Sequence, residues 1–579
     1  MIISAAFRPF RAVCAALSLA ALAACATVPP AAPAAPVAAE PRTIQILGLN
    51  DFHGYIEPLP FPATWFDGGT RSQEQLGGAA RLGTVLAGLR QGQEHSITVA
   101  AGDLIGASPL ASSYFLDEPT IMALNRAGLE LAAVGNHEFD RGTDELRRMQ
   151  QGGCEVHTTR VPCRLDRPFE GAKFTYLAAN VLDAGGQTLF PGTAIREFGG
   201  VRLGFIGMTL ENTGILVSPA GTAGYTFADE ADTANALAAQ LRAQGADAVV
   251  LLIHEGGYTD PLNNLAECPQ LSGDILPILA RLDPAIRLVV SGHTHAAYVC
   301  GVPASDGSTR LLTSAGRYGS FVTDIRISVD PGADQVVGLS AVNRPVTQAA
   351  AEQADIAAVV RRYVEASAPI AARVVGRLSG TLAWEGDRDT DWPLANLIAD
   401  AQLAATRDPA QGGAEISFMN SGGVRTRFEP AADGTVTYGQ IFALQPFGNG
   451  LVVLEMTGAD LERVLEEQFG EEQPAEIRSS SLIPSAGFGF AFDRSRPPGQ
   501  RVSNIALNGQ PIDPARKYRV TVNSFLSSGG DGFSTFAAMP VVADGGLDLD
   551  ALEAYVTASG TLAPPATDRI RRLDASGAN

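Results

Sequence analysis

The chain has 579 residues, too many for one hydrophobic core, and its length predicts two to four domains. With 46% hydrophobic and 18% charged residues, it has the composition of a globular protein with ample apolar surface to bury. Its formal net charge of −20 argues against nucleic acid polymers and anionic membrane surfaces as general partners. An anionic substrate would therefore need local positive charge, from bound metal or a few arginines.

The N-terminus has the pattern of an export signal. Arg8 and Arg11 precede the apolar run "AVCAALSLAALAA", which is too short to anchor the chain as a spanning helix. The sequence "LAAC" that ends at Cys25 resembles the bacterial lipoprotein box, which implies a signal peptide over residues 1–25 and a lipid on Cys25. Secretion with ordinary cleavage nearby is the alternative. Residues 26–42 are rich in Pro and Ala and have nothing to bury, which predicts a tether that acts as a spacer.

These features predict an exported bacterial protein, either periplasmic or anchored as a lipoprotein in the outer membrane. The only membrane contact we expect is the N-terminal lipid. Beyond Cys14 and Cys25, four cysteines remain, which allow three pairings. We expect disulfides between Cys154 and Cys163 and between Cys268 and Cys300, with free buried thiols as the alternative. Zinc binding by these cysteines is disfavoured because they show no C-x-x-C spacing.

From residue 43 to 345, apolar runs rich in β-branched residues alternate with polar loops and helix-like stretches. Each run is followed by turn residues, which is typical of buried strands in an α/β or layered sheet. One amphipathic helix is expected over "EADTANALAAQLRAQG", with Gly245 at its end. The predicted strands are "TIQILGLN", "SITVAAGD", "LELAAVGN", "VRLGFIGM", "DAVVLLIHE" and "IRLVVSGH".

An Ala-rich, charged stretch at residues 346–368 predicts a helix that links two domains. A second region at residues 369–572 has its own strand-like runs, "AEISFMN", "NGLVVLEMTG" and "YRVTVNS", and its own glycine-rich loops. The expected order is therefore signal peptide, tether, first domain (43–345), linker helix and second domain.

Potential metal ligands follow the predicted strands of the first domain. Five of the seven histidines in the chain lie in these strand-end loops, and His293 and His295 are spaced so that an extended segment would direct both rings to one side. Such loops gather at one edge of an α/β sheet and form the site. The candidate ligands are Asp51, His53, Asp103, Asn136, His254, His293 and His295.

This mixture of carboxylate, imidazole and carboxamide groups suits Zn, Mn, Co or Fe better than Mg or Ca. Seven ligands are too many for one tetrahedral ion, but they suit two divalent ions that share a bridging carboxylate. Asp103 is the candidate bridge. Any one of these motifs could instead be a capped turn, so the prediction depends on the ordered set.

The series D-x-H, GD, GNHE, a lone His after a strand and GHxH resembles the calcineurin-like metallophosphoesterases. The resemblance implies a four-layer αββα sandwich. It implies a first metal held by Asp51, His53, Asp103 and His295, and a second held by Asp103, Asn136, His254 and His293. It also implies that His137 faces the substrate while Asp140 orients its ring.

Several stretches of the second region can be interpreted as core phenylalanines and glycine turns. They also resemble the C-terminal domain of the 5'-nucleotidase family, which includes UDP-sugar hydrolases and cyclic-nucleotide phosphodiesterases. That resemblance implies a mixed α/β domain that rotates about the linker, with a hinge near residues 348–370. It implies base stacking by Phe447 and Phe525, nucleoside contacts by Asn420 and Asp531, and substrate contacts by Arg388 and Arg425.

The expected function is two-metal hydrolysis of nucleoside 5'-monophosphates outside the cytoplasm, with nucleoside di- and triphosphates or nucleotide sugars as further substrates. A phosphodiesterase acting on 2',3'-cyclic nucleotides, or a nucleotide-sugar or dinucleotide pyrophosphatase, is the alternative on the same fold. A nucleotide-binding lipoprotein without turnover is the alternative of another class. The expected partner is a small nucleotide, and the expected state is a monomer.

Overall fold

The computed structural model describes residues 40–333, 335–383, 390–469 and 480–574. The predicted signal peptide, Cys25 and most of the predicted tether lie outside the described residues, as does Arg388. Within the described part of the chain, every helix is too short or too polar to cross a membrane.

The described residues of the first part of the chain form sixteen strands. They are β1 (Arg42–Leu49), β2 (Ala63–Asp67), β3 (Thr70–Glu74), β4 (Ser96–Ala101), β5 (Leu131–Ala133), β6 (Thr175–Leu177), β7 (Val181–Asp183), β8 (Thr193–Phe198), β9 (Val201–Thr209), β10 (Tyr225–Phe227), β11 (Ala248–His254), β12 (Ile286–Ser291), β13 (Ala297–Pro303), β14 (Thr309–Ala315), β15 (Phe321–Asp330) and β16 (Gln335–Pro345).

The helices of this part lie between those strands, and a long helix follows them. They are α1 (Ala79–Arg90), α2 (Leu110–Ser113), α3 (Glu118–Ala127), α4 (Thr143–Gln151), α5 (Thr213–Leu216), α6 (Glu230–Ala243), α7 (Ile275–Arg281) and the long α8 (Ala354–Ala371), with a 3-10 turn at His137–Phe139.

Two six-stranded sheets pack face to face in this part. One has the order β16-β15-β1-β4-β5-β6 and the other the order β13-β14-β12-β11-β9-β8. Alternate residues of a strand point to opposite faces, so Ile44 and Ile46 of β1 join the core between the sheets, while Leu47 packs on the outer face with the helices. In β11, Val250 likewise lies between the sheets and Leu251 lies on the outer face.

Helices cover both outer faces. Buried residues of α1, α3 and α8 share a core with the first sheet, and those of α6 and α7 share one with the second. The order helix, sheet, sheet, helix is the four-layer arrangement expected from the sequence, and this expectation is confirmed.

Helix α6 lies where the sequence predicts it. The side chain of Asp229 caps its N-terminus by accepting a hydrogen bond from the amide of Asp232 at 2.8 Å. After its last turn, Gly245 has a φ of 86°, a left-handed conformation that favours glycine.

The linker helix begins later than the sequence predicts. The predicted span is 346–368, but α8 covers Ala354–Ala371. The difference arises because Val346 is fully buried and its amide bonds the carbonyl of Ser320, so this stretch still belongs to the edge of the first sheet. Helix α8 contacts α1, α2 and α3, and also a helix of the second part.

The second part of the chain is mixed α/β, as expected. Its strands are β17 (Val374–Leu378), β18 (Ile416–Asn420), β19 (Thr435–Thr437), β20 (Gly450–Thr457), β21 (Leu482–Pro484), β22 (Phe488–Phe492), β23 (Val502–Leu507), β24 (Gln510–Pro511), β25 (Lys517–Asn523), β26 (Val541–Leu547), β27 (Thr561–Leu562) and β28 (Ile570–Arg572). They form sheets of the orders β19-β17-β27, β21-β18-β25-β20-β26 and β24-β23-β22-β28.

Six described helices pack on these sheets. They are α9 (Pro393–Thr406), α10 (Tyr438–Leu444), α11 (Gly458–Glu467), α12 (Ser524–Ser527), α13 (Ser534–Ala537) and α14 (Asp548–Ala558), with 3-10 turns at Pro409–Gln411, Ser421–Gly423 and Gly530–Gly532.

The structure contains both disulfides expected from the sequence. Cys154–Cys163 closes a loop after α4, with a sequence separation of 9 residues. Cys268–Cys300 has a separation of 32 residues and ties the segment before α7 to β13. The second bond encloses the segment that carries His293 and His295.

Candidate active site

The candidate ligands lie at the ends of five strands that meet at one edge of the double sheet. Strands β1, β4 and β5 are parallel neighbours in one sheet, and β11 and β12 are parallel neighbours in the other. Because parallel strands present their carboxyl ends at the same edge, the loops after them converge. The converging residues are Asp51, His53, Asp103, Asn136, His137, His254, His293 and His295.

Their donor atoms form two groups, and a third group of His53, Asp103 and His137 joins them. One group contains Asp51, His53 and His295, and another contains Asp103, His254 and His293; within each group the donor atoms lie within 4.8 Å of one another. Oδ2 of Asp103 lies 2.9 Å from Nε2 of His254 and 3.5 Å from Nε2 of His53. This oxygen therefore faces both groups.

Asn136 lies beside the second group, and His295 lies close to both other members of the first. Oδ1 of Asn136 lies 3.1 Å from Nε2 of His254. Nε2 of His295 lies 3.4 Å from Oδ1 of Asp51 and 3.2 Å from Nε2 of His53. Electron-pair donors converge here in a buried space, which is an arrangement that divalent cations stabilise.

Two histidines have a fixed ring orientation. Nδ1 of His53 is 2.9 Å from the carbonyl oxygen of Gly106, and Nδ1 of His254 is 2.7 Å from that of Ala101. A carbonyl can only accept, so each Nδ1 carries the hydrogen and each Nε2 presents its lone pair to the cluster. This is the tautomer that a metal ligand requires.

Side-chain and backbone amide groups hold the carboxylates of Asp51 and Asp103. Asp51 accepts from Nδ2 of Asn50 at 2.6 Å and from the amide of His293 at 2.9 Å. Oδ1 of Asp103 accepts from the amide of His137 at 2.8 Å. Burial raises the pKa of Asp51 to about 7, and the nearby charge of Asp103 adds to the rise, while His254 opposes it. Cations in the cluster would relieve this repulsion.

The backbone of the cluster is strained. Non-glycine residues rarely adopt a positive φ, and such residues concentrate at functional sites. Five of the candidate ligands do so: Asp51 (48°), His53 (45°), Asp103 (50°), His293 (70°) and His295 (60°). At Gly135 an added Cβ would lie 2.2 Å from Oδ1 of Asp103, so only glycine allows this close approach of two loops.

His137 and Asp140 form a hydrogen-bonded pair beside the cluster. Nδ1 of His137 lies 3.0 Å from both carboxylate oxygens of Asp140, and the amide of Ala107 holds Oδ2 of that carboxylate at 3.1 Å. Burial lowers the pKa of His137, but the charges of Asp140 and Asp103 outweigh it and raise that pKa overall. The pairing leaves Nε2 of His137 as the ring atom that can face a substrate.

The second part of the chain reaches this site through Phe447 and Arg425. The ring of Phe447 stacks on that of His137, with centroids 5.7 Å apart and an interplanar angle of 17°. The guanidinium carbon of Arg425 lies 5.7 Å from the centre of the Phe447 ring. Arg425 is close enough to lower the pKa of His53 and of His295, although burial is the larger cause for both.

Asn420 and Asp531 form a second polar group. Nδ2 of Asn420 donates to Oδ2 of Asp531 at 2.8 Å, and its Oδ1 accepts from Nδ2 of Asn523 at 2.9 Å. Burial raises the pKa of Asp531 to about 6. Phe525 is half-buried beside this group, and an added Cβ on Gly530 would meet its ring at 2.4 Å.

Sequence reasoning missed four residues at or beside the candidate ligands. Asn50 and Glu138 are polar neighbours of predicted ligands in "LNDFHG" and "VGNHEFD", so adjacency could have indicated them. Tyr318 lies with its ring centre 5.8 Å from that of His53 and stacks on Tyr55 at 3.9 Å. Tyr318 follows β14 in a loop without ligand spacing, so no sequence signal indicates it.

Comparison with known proteins agrees with this architecture. Residues 44–297 match the model of the calcineurin-like phosphoesterase family, and residues 374–538 match that of the 5'-nucleotidase C-terminal domain. The fold is similar to the crystal structure of a 5'-nucleotidase precursor from Thermus thermophilus, with a TM-score of 0.76 and 24% identity; the match covers 92% of this chain and 100% of that one.

Two relatives are longer than this chain. "Cell wall protein Lmo0130" of Listeria monocytogenes is 31% identical over 538 residues, covering 86% of this chain and 65% of that protein. "Endonuclease YhcR" of Bacillus subtilis is 29% identical over 487 residues, covering 84% of this chain and 37% of that protein. The chain thus spans less than two thirds of either relative. With both family models matched along most of its length, the protein belongs to the family that joins a calcineurin-like phosphoesterase domain to a 5'-nucleotidase C-terminal domain.

Proposed function

We propose that this protein hydrolyses the phosphate ester of nucleoside 5'-monophosphates with the help of two divalent ions. The observation that carries the proposal is the position of Asp103, whose Oδ2 lies within 3.5 Å of an imidazole nitrogen from each group, at His53 and His254. A shared carboxylate of this kind suits a pair of ions better than one ion.

The proposed ligand sets follow the two groups. Asp51, His53, Asp103 and His295 would hold the first ion, and Asp103, Asn136, His254 and His293 the second. Nitrogen and oxygen donors together favour Zn, Mn, Co or Fe. When bound, such ions lower the pKa of water and offset the negative charge of the phosphate in an acidic protein.

His137 would donate a proton to the leaving group. Asp140 fixes the hydrogen on Nδ1, so a protonated His137 would direct an N–H at Nε2 toward the ester oxygen that departs as the nucleoside 5'-hydroxyl. The charge of Asp140 stabilises the imidazolium before the transfer. Transfer of the Nε2 proton to that oxygen leaves neutral His137, which regains its proton from solvent.

The second part of the chain would bind the nucleoside. Phe447 and Phe525 offer flat apolar faces to a base. The carboxylate of Asp531 can accept hydrogen bonds from sugar hydroxyls, with Asn420 beside it. Arg425 would pair with the phosphate, and we keep Arg388 as a second proposed substrate arginine.

We further propose export to the periplasm or outer membrane, lipid attachment at Cys25 and a monomeric state. The two disulfides support a compartment outside the cytoplasm. The name of the Listeria relative, a cell wall protein, also supports it. The proposed domains are residues 43–345 and 369–572, joined by the helix that the structure has at Ala354–Ala371.

A substrate panel tests the proposal. The purified protein is stripped of metal, refilled with Mn²⁺ or Co²⁺ and assayed for kcat/KM on AMP, a 2',3'-cyclic nucleotide, UDP-glucose and a single-stranded oligonucleotide. We expect phosphate release from AMP that ends when EDTA is added. A larger kcat/KM on the cyclic nucleotide or UDP-glucose than on AMP would show that this other class of phosphate ester is the preferred substrate. Turnover that survives full chelation would overturn the two-metal proposal.

A further inference from the structure

Glu138 is a buried carboxylate that contacts two of the ligand-bearing loops. It lies in the 3-10 turn His137–Phe139, and 2% of its surface is exposed. Among the described residues, its hydrogen-bond donors are backbone amides. A buried carboxylate without a cationic partner is costly unless hydrogen bonds or a bound cation stabilise its charge.

Backbone amides from two loops stabilise the Glu138 carboxylate. Its Oε2 accepts from the amide of Gly135 at 2.7 Å and from that of Asp103 at 2.9 Å. Its Oε1 accepts from the amide of Leu104 at 2.7 Å, with that of Ile105 at 3.4 Å. One side chain therefore joins the loop after β4 to the loop after β5.

Two hydrogen bonds of opposite direction join Asp103 to the 3-10 turn that contains Glu138. Glu138 accepts from the amide of Asp103, while Oδ1 of Asp103 accepts from the amide of His137. Asp103 has a φ of 50°, a conformation that the surrounding structure must hold in place. The two opposed bonds fix both the backbone and the carboxylate of Asp103 relative to Asn136 and His137.

We propose that Glu138 is a positioning residue for the metal pair. It holds the backbone of Asp103 so that Oδ2 faces the imidazole nitrogens of His53 and His254, one from each group of donor atoms. The inference rests on the proposed function only in taking the cluster to bind two divalent ions. It assigns to Glu138 no contact with an ion or with substrate.

Metal binding to the full chain tests this role. The protein is stripped with chelator and titrated with Mn²⁺ by calorimetry, and the spin coupling of the bound pair is followed by electron paramagnetic resonance. In Glu138→Gln an NH₂ group replaces one acceptor oxygen and faces backbone N–H donors. We expect the apparent Kd for Mn²⁺ to rise about 10- to 100-fold, with a changed coupling signal and recovery of occupancy in excess Mn²⁺.

Glu145→Gln is the matched control. Glu145 is a carboxylate buried to a similar degree, but it binds Arg148 at 2.7 Å on α4 and touches neither loop. We expect this variant to lose stability and keep wild-type Mn²⁺ affinity. Equal weakening in both variants would show a general effect of buried charge and overturn the inference.

Glu138→Asp is the variant to test if Glu138→Gln does not fold. It keeps the carboxyl group but is shorter by one methylene, so it cannot bond both loops, and we expect the Kd for Mn²⁺ to be several-fold higher. Wild-type affinity in either folded variant overturns the role of Glu138. Failure of the wild-type protein to bind two Mn²⁺ ions would instead overturn the proposed function.

Discussion

The ring of Phe447 lies parallel to that of His137, 5.7 Å away, although 310 positions separate the two residues in the chain. His137 belongs to the site at the edge of the double sheet, and Phe447 belongs to the second part. The stack therefore joins the proposed chemical step to the proposed base-binding surface. A base held by Phe447 would have its phosphate within reach of the ligand cluster.

We expect His137→Ala to lose most turnover while retaining metal. The ring is paired with Asp140 and is not needed in either proposed ligand set, so its removal takes away the proton donor alone. General acid catalysis contributes about 10²- to 10⁴-fold, which is the expected fall in kcat on AMP. Elemental analysis should find wild-type metal content. His95→Ala is the control, because that ring packs near Phe198 away from the cluster. Metal loss equal to the activity loss would contradict the assignment.

Asp103→Asn should show the opposite pattern, with loss of bound metal as its primary effect. The amide keeps the size of the side chain but removes the charge that two ions would share. We expect occupancy of both ions to fall, as measured by mass spectrometry of the metals in dialysed protein. Asp324→Asn provides a buried control, since that carboxylate bonds Gln45 at 2.8 Å and no candidate ligand. A full metal complement in Asp103→Asn would remove Asp103 as the bridge.

Much of this site could be predicted because the ligands follow strands. His254 ends β11 and His293 follows β12. Parallel strands have their carboxyl ends at the same edge of the sheet, so residues that follow them lie close together. Tyr318 was missed because its position beside His53 depends on the conformation of the loop after β14. The local sequence does not indicate this conformation. The stack of Phe447 on His137 was also outside sequence reasoning, since it depends on how the two parts pack. The start of α8 was misplaced because the burial of Val346 in the sheet has no local signal.

Phe447→Ala should weaken nucleotide binding and spare base-free substrates. Stacking of an aromatic ring on a base is worth about 1–3 kcal/mol, so KM for AMP should rise about 5- to 150-fold. Turnover of glycerol phosphate, which has no base, should stay near the wild-type value and so controls for damage to His137. An equal loss on both substrates would mean that Phe447 supports the His137 ring and does not bind a base.

Binding of adenosine should weaken as pH falls through 6. Burial raises the pKa of Asp531 to about 6, so its carboxylate is ionised above that pH and protonated below it. The ionised form accepts hydrogen bonds from sugar hydroxyls on both oxygens, whereas protonation turns one oxygen into a donor and weakens acceptance. If the ionised form alone binds, the Kd at pH 5 should be about tenfold higher than at pH 8. Adenosine suits the test because it lacks the phosphate, whose own ionisation near pH 6 would obscure the effect.

Calorimetry at saturating Mn²⁺ measures this dependence, and Asp531→Asn is its control. The variant has no charge to lose, so its adenosine affinity should be weak and flat between pH 5 and 8. Asn420 donates to Asp531 and lowers the pKa of that carboxyl, so Asn420→Ala should weaken binding and move the pH dependence to higher pH. A wild-type Kd that is constant across this range would show that the Asp531 carboxylate does not receive the sugar, and the nucleoside would have to be placed elsewhere on the second part.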